Sequence, residues 1–253
     1  LTLQARGNLD YSADKLRQKF YASTATALCG MNGRYIEMDY QETQMYGDVM
    51  AMVKKQLNDF TLDVAIGGSI NDRITNSTRI DSKNASLKYA NVFNLANIVM
   101  SSSASIDQKI DAHYQLQSVF ATAQIGYKEG VFLDLTARND WSSTLAYTKY
   151  EKKGFFYPSV GVSFLPDKWV KMPEWVSFSK LRGAYSIVGN GVPPFITYPV
   201  SYVTAGGEIL ASDAAPFAEM KPEMTHSVEL GMEWKFLQHR LGLNLTYYRT
   251  DTY

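Results

Sequence analysis

The chain has 253 residues, and 25 lysine and arginine residues balance 25 aspartate and glutamate residues, so its formal charge is zero. This balance argues against a general nucleic-acid-binding protein, which normally carries an excess of basic residues, and a hydrophobic fraction of 45% argues against a disordered chain. The single cysteine, Cys29, excludes an intramolecular disulfide framework and a zinc cluster built from several cysteines.

Strands dominate the predicted secondary structure, because apolar and polar residues alternate with a period of two along many segments. In chain order these segments are 1–9, 16–27, 46–57, 61–70, 116–127, 131–138, 156–165, 177–188, 226–236 and 241–247. Segment 46–57 also fits a helical stripe, and both alternatives stay open there. Strands of roughly 9–12 residues exceed the five or six typical of globular proteins and match a tilted membrane-spanning strand.

The clearest alternation lies in segments 226–236 and 241–247, and it predicts which residues face lipid and which face a hydrated lumen. The predicted lipid-facing residues are Val228, Leu230, Met232, Trp234, Leu241, Leu243 and Leu245. The predicted lumen-facing residues are Glu229, Glu233, Lys235, Asn244 and Thr246. In a membrane barrel, outward residues are apolar and inward residues are polar.

The predicted connections alternate between short and long. Short ones fall near 10–15, 57–60, 127–130, 166–176 and 237–240, and long ones near 28–45, 72–115, 139–155 and 189–225. Outer-membrane barrels have this asymmetry, with short periplasmic turns and long extracellular loops. The sequence therefore predicts an all-β fold, a transmembrane antiparallel β-barrel.

Aromatic residues near the predicted strand ends have two interpretations. They fit the girdle that membrane barrels place at each interface, and they also fit the general preference of aromatic residues for strands. The residues concerned are Tyr127, Phe155, Phe156, Tyr157, Trp169, Trp175, Trp234, Tyr247 and Tyr248.

Ordered segments in the second half of the chain resemble SusC-like TonB-dependent outer-membrane transporters. They are LTARNDWSSTL at 135–145, FYPSV at 156–160, KLRGAYSIVGN at 180–190 with a Pro-Pro pair at 193–194, KPE at 221–223, ELGME at 229–233, RLGL at 240–243 and TYY at 246–248. The resemblance is specific over 131–250, whereas residues 1–130 are compatible with the family without a sharp motif.

The resemblance implies active import of a large nutrient across the Gram-negative outer membrane, usually a glycan and sometimes a peptide. It implies a SusD-like surface lipoprotein as a lid, energy delivered by TonB through a plug domain, contact with outer-membrane lipid, and dimers of transporter–lipoprotein pairs. The family barrel has 22 strands, so about ten strands cannot close it. We expect residues 1–253 to be part of the barrel domain, with the plug domain and the N-terminal regions absent from this sequence.

Two groups of residues are candidate contacts of substrate or lid. Arg138, Asp140 and Trp141 lie where a predicted strand meets a long loop. They could recognise a sugar, with the Trp141 ring stacked on the sugar ring and the two charged side chains bonded to its hydroxyls. They could instead organise the loop, with Asp140 bound to nearby backbone N–H groups. We favour loop organisation. The aromatics of the loop 189–225 either contact glycan or lid, or pack the loop on itself; they are Phe195, Tyr198, Tyr202 and Phe217.

Nothing in the sequence indicates an enzyme, a cofactor or a metal site. The three histidines share no metal-ligand spacing, and no nucleotide-binding or nucleophile-elbow motif is present. Glu229 and Glu233 would lie about 13 Å apart on a strand, which is too far for a paired-carboxylate hydrolase. Two alternatives to an importer stay open: a secreted all-β carbohydrate-binding module with sheets packed face to face, and a passive porin or surface adhesin.

Overall fold

The computed structural model describes residues 1–83, 87–100, 105–194, 196–197, 201–203, 207–211 and 217–253. Its strands are β1 (Thr2–Phe20), β2 (Arg34–Leu57), β3 (Phe60–Asp81), β4 (Ser105–Tyr127), β5 (Val131–Ser142), β6 (Phe155–Phe164), β7 (Val176–Asn190), β8 (Tyr202–Val203), β9 (Ile209–Leu210), β10 (Glu223–Phe236) and β11 (Leu241–Thr252). Three short 3-10 helices cover Leu95–Asn97, Ser143–Leu145 and Pro166–Lys168. Among the described residues, no helix is long and apolar enough to cross a membrane.

Among the described residues, nine strands form one antiparallel sheet in the order β1-β2-β3-β4-β5-β6-β7-β10-β11, and β8 pairs only with β9. Neighbours in the sheet are neighbours along the chain, apart from the β8–β9 hairpin within the connection from β7 to β10. The tightest connection is the two-residue turn after Leu57, where Asn58 adopts the left-handed conformation that such hairpins favour (φ 50°). The prediction of an all-β antiparallel barrel wall is confirmed.

The predicted turn near 10–15 is wrong, and so is the separate strand predicted for 16–27. β1 runs without interruption through Ser12 and Asp14, which pair with Glu42 and Tyr40 of β2. Serine and aspartate favour turns when the chain is considered locally. Here continuous pairing with β2 along all of β1 outweighs that local preference.

Strands β2, β3 and β4 are much longer than predicted, with 24, 22 and 23 residues. They occupy much of the regions 28–45 and 72–115 that were predicted as loops, and the helical alternative for 46–57 is excluded. A tilted strand needs about 9–11 residues to cross a bilayer. The additional residues lie at the end of the sheet with the long loops, where most residues on both faces are polar and the alternation that identifies a membrane strand is lost.

One face of the nine-stranded sheet is apolar along its whole width, and we call it the apolar face. The registers place Leu230 beside Tyr247 and Gly183, and the same face continues through Leu135 and Ile66. Leu230 is 55% exposed and Ile66 is 61% exposed. Within the described part of the chain, no second sheet covers this face, so the packing that a carbohydrate-binding sandwich requires is not present.

Aromatic rings form a belt on the apolar face at the end of the sheet with the short turns. Tyr127 contacts Phe60 and Trp169, with ring centroids 4.7 Å and 5.5 Å away. Trp175 stacks on Phe236 at 5.7 Å, and Trp234 stacks on the same ring at 6.2 Å. This arrangement matches the interfacial girdle of membrane barrels.

Three residues that were predicted for the girdle lie elsewhere. Tyr248 pairs with Glu229 and Tyr157 with Arg138, which places both tyrosines on the polar face, and Phe155 is buried beside the loop that precedes it. Position near a strand end does not decide which face a residue takes. The strand register decides it, because a shift of one residue moves a side chain to the opposite face.

Candidate functional site

The face opposite the apolar one is lined with polar and charged side chains, and we call it the polar face. It contains all the residues that were predicted to face a lumen: Glu229, Glu233, Lys235, Asn244 and Thr246. Their placement on one face follows from the alternation within β10 and from its register with β11. Whether this face encloses a transport pathway depends on the rest of a barrel, so their contact with a lumen stays a prediction.

Charged groups on the polar face form pairs across neighbouring strands and along a single strand. Arg182 lies 3.1 Å from the carboxylate of Glu229 and donates a hydrogen bond to Thr246 Oγ1 at 2.8 Å. A Cβ at Gly231 would overlap the Arg182 side chain, so glycine at this position lets the guanidinium lie across the sheet. Glu233 pairs with Lys235 on its own strand at 3.3 Å.

Arg138 and Asp140 are brought together by the structure, whereas Trp141 is separated from them. Arg138 Nε donates to Asp140 Oδ1 at 2.7 Å, and its Nη2 donates to Ser118 Oγ at 2.6 Å. Trp141 pairs with Gln117 and therefore takes the apolar face. A ligand on the polar face cannot stack on Trp141 while it bonds to Arg138, so the three residues do not form one sugar-binding corner.

The residues around this pair organise the adjoining loop. A Cβ at Gly154 would overlap Asn139 and approach Trp141. Ser142 Oγ accepts a hydrogen bond from the Thr144 N–H at 3.3 Å and so caps the 3-10 helix Ser143–Leu145. These contacts support loop organisation, but Asp140 takes part through Arg138, whereas the sequence predicted bonds to backbone N–H groups.

The candidate aromatics of the long loop are only partly described. Phe195 and Tyr198 lie outside the described residues, the backbone of Tyr202 belongs to the β8–β9 hairpin, and Phe217 is exposed. Their contact with a ligand or a lid stays a prediction.

The loops that follow β5 and β7 contact each other. Thr197 Oγ1 donates to the carbonyl of Ala146 at 2.8 Å, and the N–H of Lys149 donates to the carbonyl of Ala218 at 3.0 Å. The side chain of Lys149 also pairs with Glu219. Both loops lie at the same end of the sheet, where they form a connected layer.

A second folded unit at this end, which we call the outer cap, contains the start of β2, the end of β3 and residues 87–98. Its apolar centre is Tyr35, Leu87 and Ile98, all buried. Asn97 is buried as well, and its side-chain amide donates to the carbonyls of Tyr89 and Val92 at 2.8 Å and 2.6 Å. The connection after β3 therefore packs as an ordered structure.

A buried carboxylate ties the outer cap to the strands. Asp81 is 1% exposed and accepts two hydrogen bonds from Arg34, at 2.8 Å and 2.7 Å, one from Arg79 at 2.8 Å and one from the N–H of Lys83 at 2.8 Å. Burial alone would raise the pKa of Asp81, but the bonds from Arg34 and Lys83 and the charges of both arginines hold that pKa below its usual value.

The outer cap is expected to loosen at acid pH. Because the folded-state pKa of Asp81 is lowered, its stabilising contribution is complete above the unfolded value of about 4 and is lost as the pH falls through the folded value. Hydrogen exchange of peptides containing Ser82 and Lys83, corrected for intrinsic rates, should be faster at pH 3 than at pH 6. Unchanged protection over this range would contradict the assigned role of Asp81.

A polar pocket that the sequence did not predict lies on the polar face towards the long loops. Arg73 and Tyr114 lie in its wall, Pro193 and Pro194 from the loop after β7 close one side, and Gln44 contributes from β2. Four separate segments meet here. The Pro-Pro pair of the loop after β7 belongs to a recognised motif, whereas the three strand segments show only alternating polar residues in regions predicted as loops.

Metal ligands are not grouped anywhere in the described residues: no three histidine, cysteine, aspartate or glutamate side chains come together in a way that could hold an ion. Cys29 is buried in the connection between β1 and β2, and its thiol lies 3.6 Å from the carbonyls of Tyr21 and Thr24. Within the described part of the chain, the site therefore offers hydrogen bonds, charge and aromatic surface.

An antiparallel sheet with an exposed apolar face, an aromatic belt at its short-turn end and a polar opposite face has the organisation of a membrane β-barrel wall. The chain matches the family model "TonB dependent receptor-like, beta-barrel" over residues 1–253. It therefore belongs to the TonB-dependent receptor β-barrel family, which confirms the resemblance to TonB-dependent transporters seen in its motifs. Comparison with curated proteins finds no match.

Solved structures with similar folds include transporters and a receptor. The RagAB peptide transporter matches with a TM-score of 0.75 and 19% identity over 99% of this chain and 28% of that chain. The RagAB peptide importer in the "open-open" state matches with a TM-score of 0.74 and 19% identity over 99% of this chain and 27% of that chain.

The ferric enterobactin receptor PfeA, solved in complex with BCV-L6, matches with a TM-score of 0.53 and 16% identity over 98% of this chain and 32% of that chain. At identities this low, these similarities show the fold alone. The chain spans between about a quarter and a third of the length of these solved chains.

Proposed function

We propose that this chain forms part of the barrel wall of a TonB-dependent importer in the Gram-negative outer membrane, and that the importer carries a large nutrient. The observation that carries the proposal is the division of one nine-stranded sheet into an exposed apolar face and a polar face rich in paired charges. Exposing apolar side chains across nine strands raises the free energy of the protein in water, whereas contact of the same side chains with lipid is favourable. The family match supports the same function.

We propose further that residues 1–253 belong to the barrel domain and that additional strands and a plug domain complete the importer. In the part of the chain that the structure describes, β1 and β11 each have one unpaired edge, and exposed backbone edges cannot be left unsatisfied in lipid. The solved transporters of similar fold are three to four times as long as this chain. TonB would deliver energy through the plug domain.

The layer of outer loops supports a surface partner. Ordered contacts among Thr197, Ala146 and Lys149, together with the outer cap, give the extracellular end a defined shape. We propose that a SusD-like lipoprotein covers this end, that the nutrient is a glycan or a peptide, and that transporter–lipoprotein pairs form dimers. RagAB, whose fold is similar, is a peptide transporter, which makes peptides a necessary arm of the test.

Uptake by cells that express the full-length protein with its neighbouring lipoprotein tests this function. Fluorescent oligosaccharides and fluorescent peptides are supplied separately, with and without TonB. We expect accumulation of one of the two substrate classes, and we expect it to stop when TonB is deleted. Accumulation that continues without TonB would instead indicate a passive porin, and surface binding without accumulation would indicate an adhesin or a binding module.

A further inference from the structure

The polar pocket around Arg73 has an electrostatic feature that sets it apart from the rest of the polar face. Arg6, Arg138 and Arg182 also lie on this face, and each is paired with a carboxylate at 3.0 Å, 2.7 Å and 3.1 Å respectively. Arg73 instead lies over the ring of Tyr114, with its guanidinium carbon 5.1 Å from the ring centroid. Within the described residues, no ion pair joins Arg73 to a carboxylate.

Stacking on Tyr114 fixes the plane of the guanidinium and leaves its edge available. Guanidinium groups are held over aromatic rings by cation–π attraction and still present N–H donors in a flat fork. That fork matches the two oxygens of a carboxylate, so a preorganised arginine loses little freedom when it binds one. Arg73 and Tyr114 are both partly buried, which limits screening by solvent.

The charges around Arg73 sum to a positive value. An adjoining pocket shares Arg73, Tyr114 and Pro194 with the first one, and it is also lined by Lys109 and Glu42. Arg73 and Lys109 outnumber the one carboxylate, Glu42, which accepts a hydrogen bond from the Tyr40 hydroxyl. Gln44 donates to Asn71 Oδ1 at 3.0 Å, so these two amides are held in place at the pocket edge.

The position of the pocket suits a ligand that arrives from outside. Arg73 lies about 40 Å along β3 from the short turn at Phe60. Because barrel strands are tilted, the height of Arg73 above that turn is smaller than this length. Arg73 therefore lies near the outer end of an apolar band about 25 Å tall. The loop residues Pro193 and Pro194 reach the same place from the end of β7. A ligand in this pocket would therefore meet both the wall and an outer loop before it passed further down the polar face.

We propose that Arg73, stacked on Tyr114 and assisted by Lys109, binds a carboxylate carried by a short oligomer at the outer end of the polar face. The C-terminus of a peptide and the uronate of an acidic oligosaccharide supply the same group. This inference rests on the proposed import function and names the chemistry by which the substrate is recognised.

Binding to the purified full-length protein in detergent tests the proposal with two matched pairs of probes. The first pair is tetra-alanine with a free C-terminal carboxylate and the same peptide with a C-terminal amide. The second pair is trigalacturonate and neutral galactotriose. Titration calorimetry should show that, in at least one pair, the acid binds more tightly than its neutral counterpart by about 10- to 100-fold, the range expected for a charge-assisted hydrogen bond. The responding pair identifies the source of the carboxylate.

The variant Arg73→Gln should abolish this preference, because it removes the charge and the flat fork of donors while it keeps a polar side chain. Arg73→Lys, which keeps the charge without the flat fork, should retain part of it. Arg182→Gln is the matched control, because it removes a positive charge from the same face outside the pocket, and it should leave the preference intact. Native migration of the unheated barrel on a denaturing gel confirms that each variant is folded.

The proposal is overturned if the wild-type protein binds neither acid, if it fails to distinguish acid from neutral probe in both pairs, or if Arg73→Gln keeps the preference. These outcomes are separate from the test of import. TonB-dependent uptake that persists without any preference for acids would remove the carboxylate site and leave the proposed function standing.

Discussion

Replacing Leu230 by arginine is expected to lower the free energy of unfolding of the full-length protein by about 2–4 kcal/mol in lipid vesicles. Leu230 lies on the apolar face between Gly183 and Tyr247 and is 55% exposed. If that exposure is to acyl chains, the guanidinium must either leave water or distort the bilayer. Equilibrium unfolding by denaturant, followed by tryptophan fluorescence in vesicles of defined composition, measures the loss.

The variant Ser227→Arg serves as the control for this substitution, because it introduces the same side chain on the same strand and on the opposite face. Ser227 pairs with Ser186 and Thr250, two small residues that leave room for a longer side chain. A polar face in contact with water should accept arginine at a cost of about 0.5 kcal/mol or less. Equal losses for the two variants would show that the two faces do not meet different solvents, and the assignment of the apolar face to lipid would be wrong.

The strands that sequence reasoning located best are those whose two faces meet different environments. Segments 156–165 and 177–188 were predicted to within two residues of the ends of β6 (Phe155–Phe164) and β7 (Val176–Asn190). Segment 226–236 ends with β10 (Glu223–Phe236), and segment 241–247 begins with β11 (Leu241–Thr252) but stops five residues before its end. The alternation there is strong because lipid on one side and water on the other impose opposite demands on successive residues. The alternation of apolar and polar residues also predicted correctly which residues share a face with Glu229.

The strands that it located poorly are those that extend beyond the apolar band. In the first part of β2 and the last part of β3, most residues on both faces are polar, and the apolar ones such as Tyr35 pack into the outer cap, so period-two alternation carries little information there. The turn predicted near 10–15 failed for a related reason, because turn-forming residues were judged without the partner strand that holds them. Pairing between distant segments is a property of the whole sheet, and a local pattern cannot reveal it.

The candidate site shows the same limit. The motif that contains Arg138 and Trp141 was found as a unit, but the register of β5 divides it between the two faces. The pocket around Arg73 was missed because its wall comes from three strands and a loop that are separated by tens of residues in the sequence. A short sequence motif indicates the local structure that the fold requires. A binding pocket depends instead on which distant segments come together in the folded chain.

Replacing Asp81 by asparagine is expected to destabilise the outer cap by about 3 kcal/mol. Removal of one member of a buried ion pair leaves the remaining charges without compensation, which typically costs 3–5 kcal/mol, and the partial exposure of Arg34 places the expected value at the low end. Asparagine keeps the shape of the side chain but leaves Arg34 and Arg79 facing each other. The N–H of Lys83 also loses a charged acceptor.

Local opening distinguishes this effect from a loss of the whole barrel, because the strands of the sheet are held by their own ladders of hydrogen bonds. In the Asp81→Asn variant, hydrogen exchange around Ser82, Lys83 and Leu87 should be about 100-fold faster, as 3 kcal/mol implies, while exchange in β10 stays unchanged.

The matched control is Asp39→Asn, also in the outer half of the sheet. Its carboxylate is half exposed and pairs with Lys15 at 3.2 Å, so its loss should cost at most about 1 kcal/mol. If hydrogen exchange in the outer cap were as slow in Asp81→Asn as in Asp39→Asn, the buried carboxylate of Asp81 would not be the group that stabilises the cap. The packing of Tyr35, Leu87 and Ile98 would then have to hold it alone.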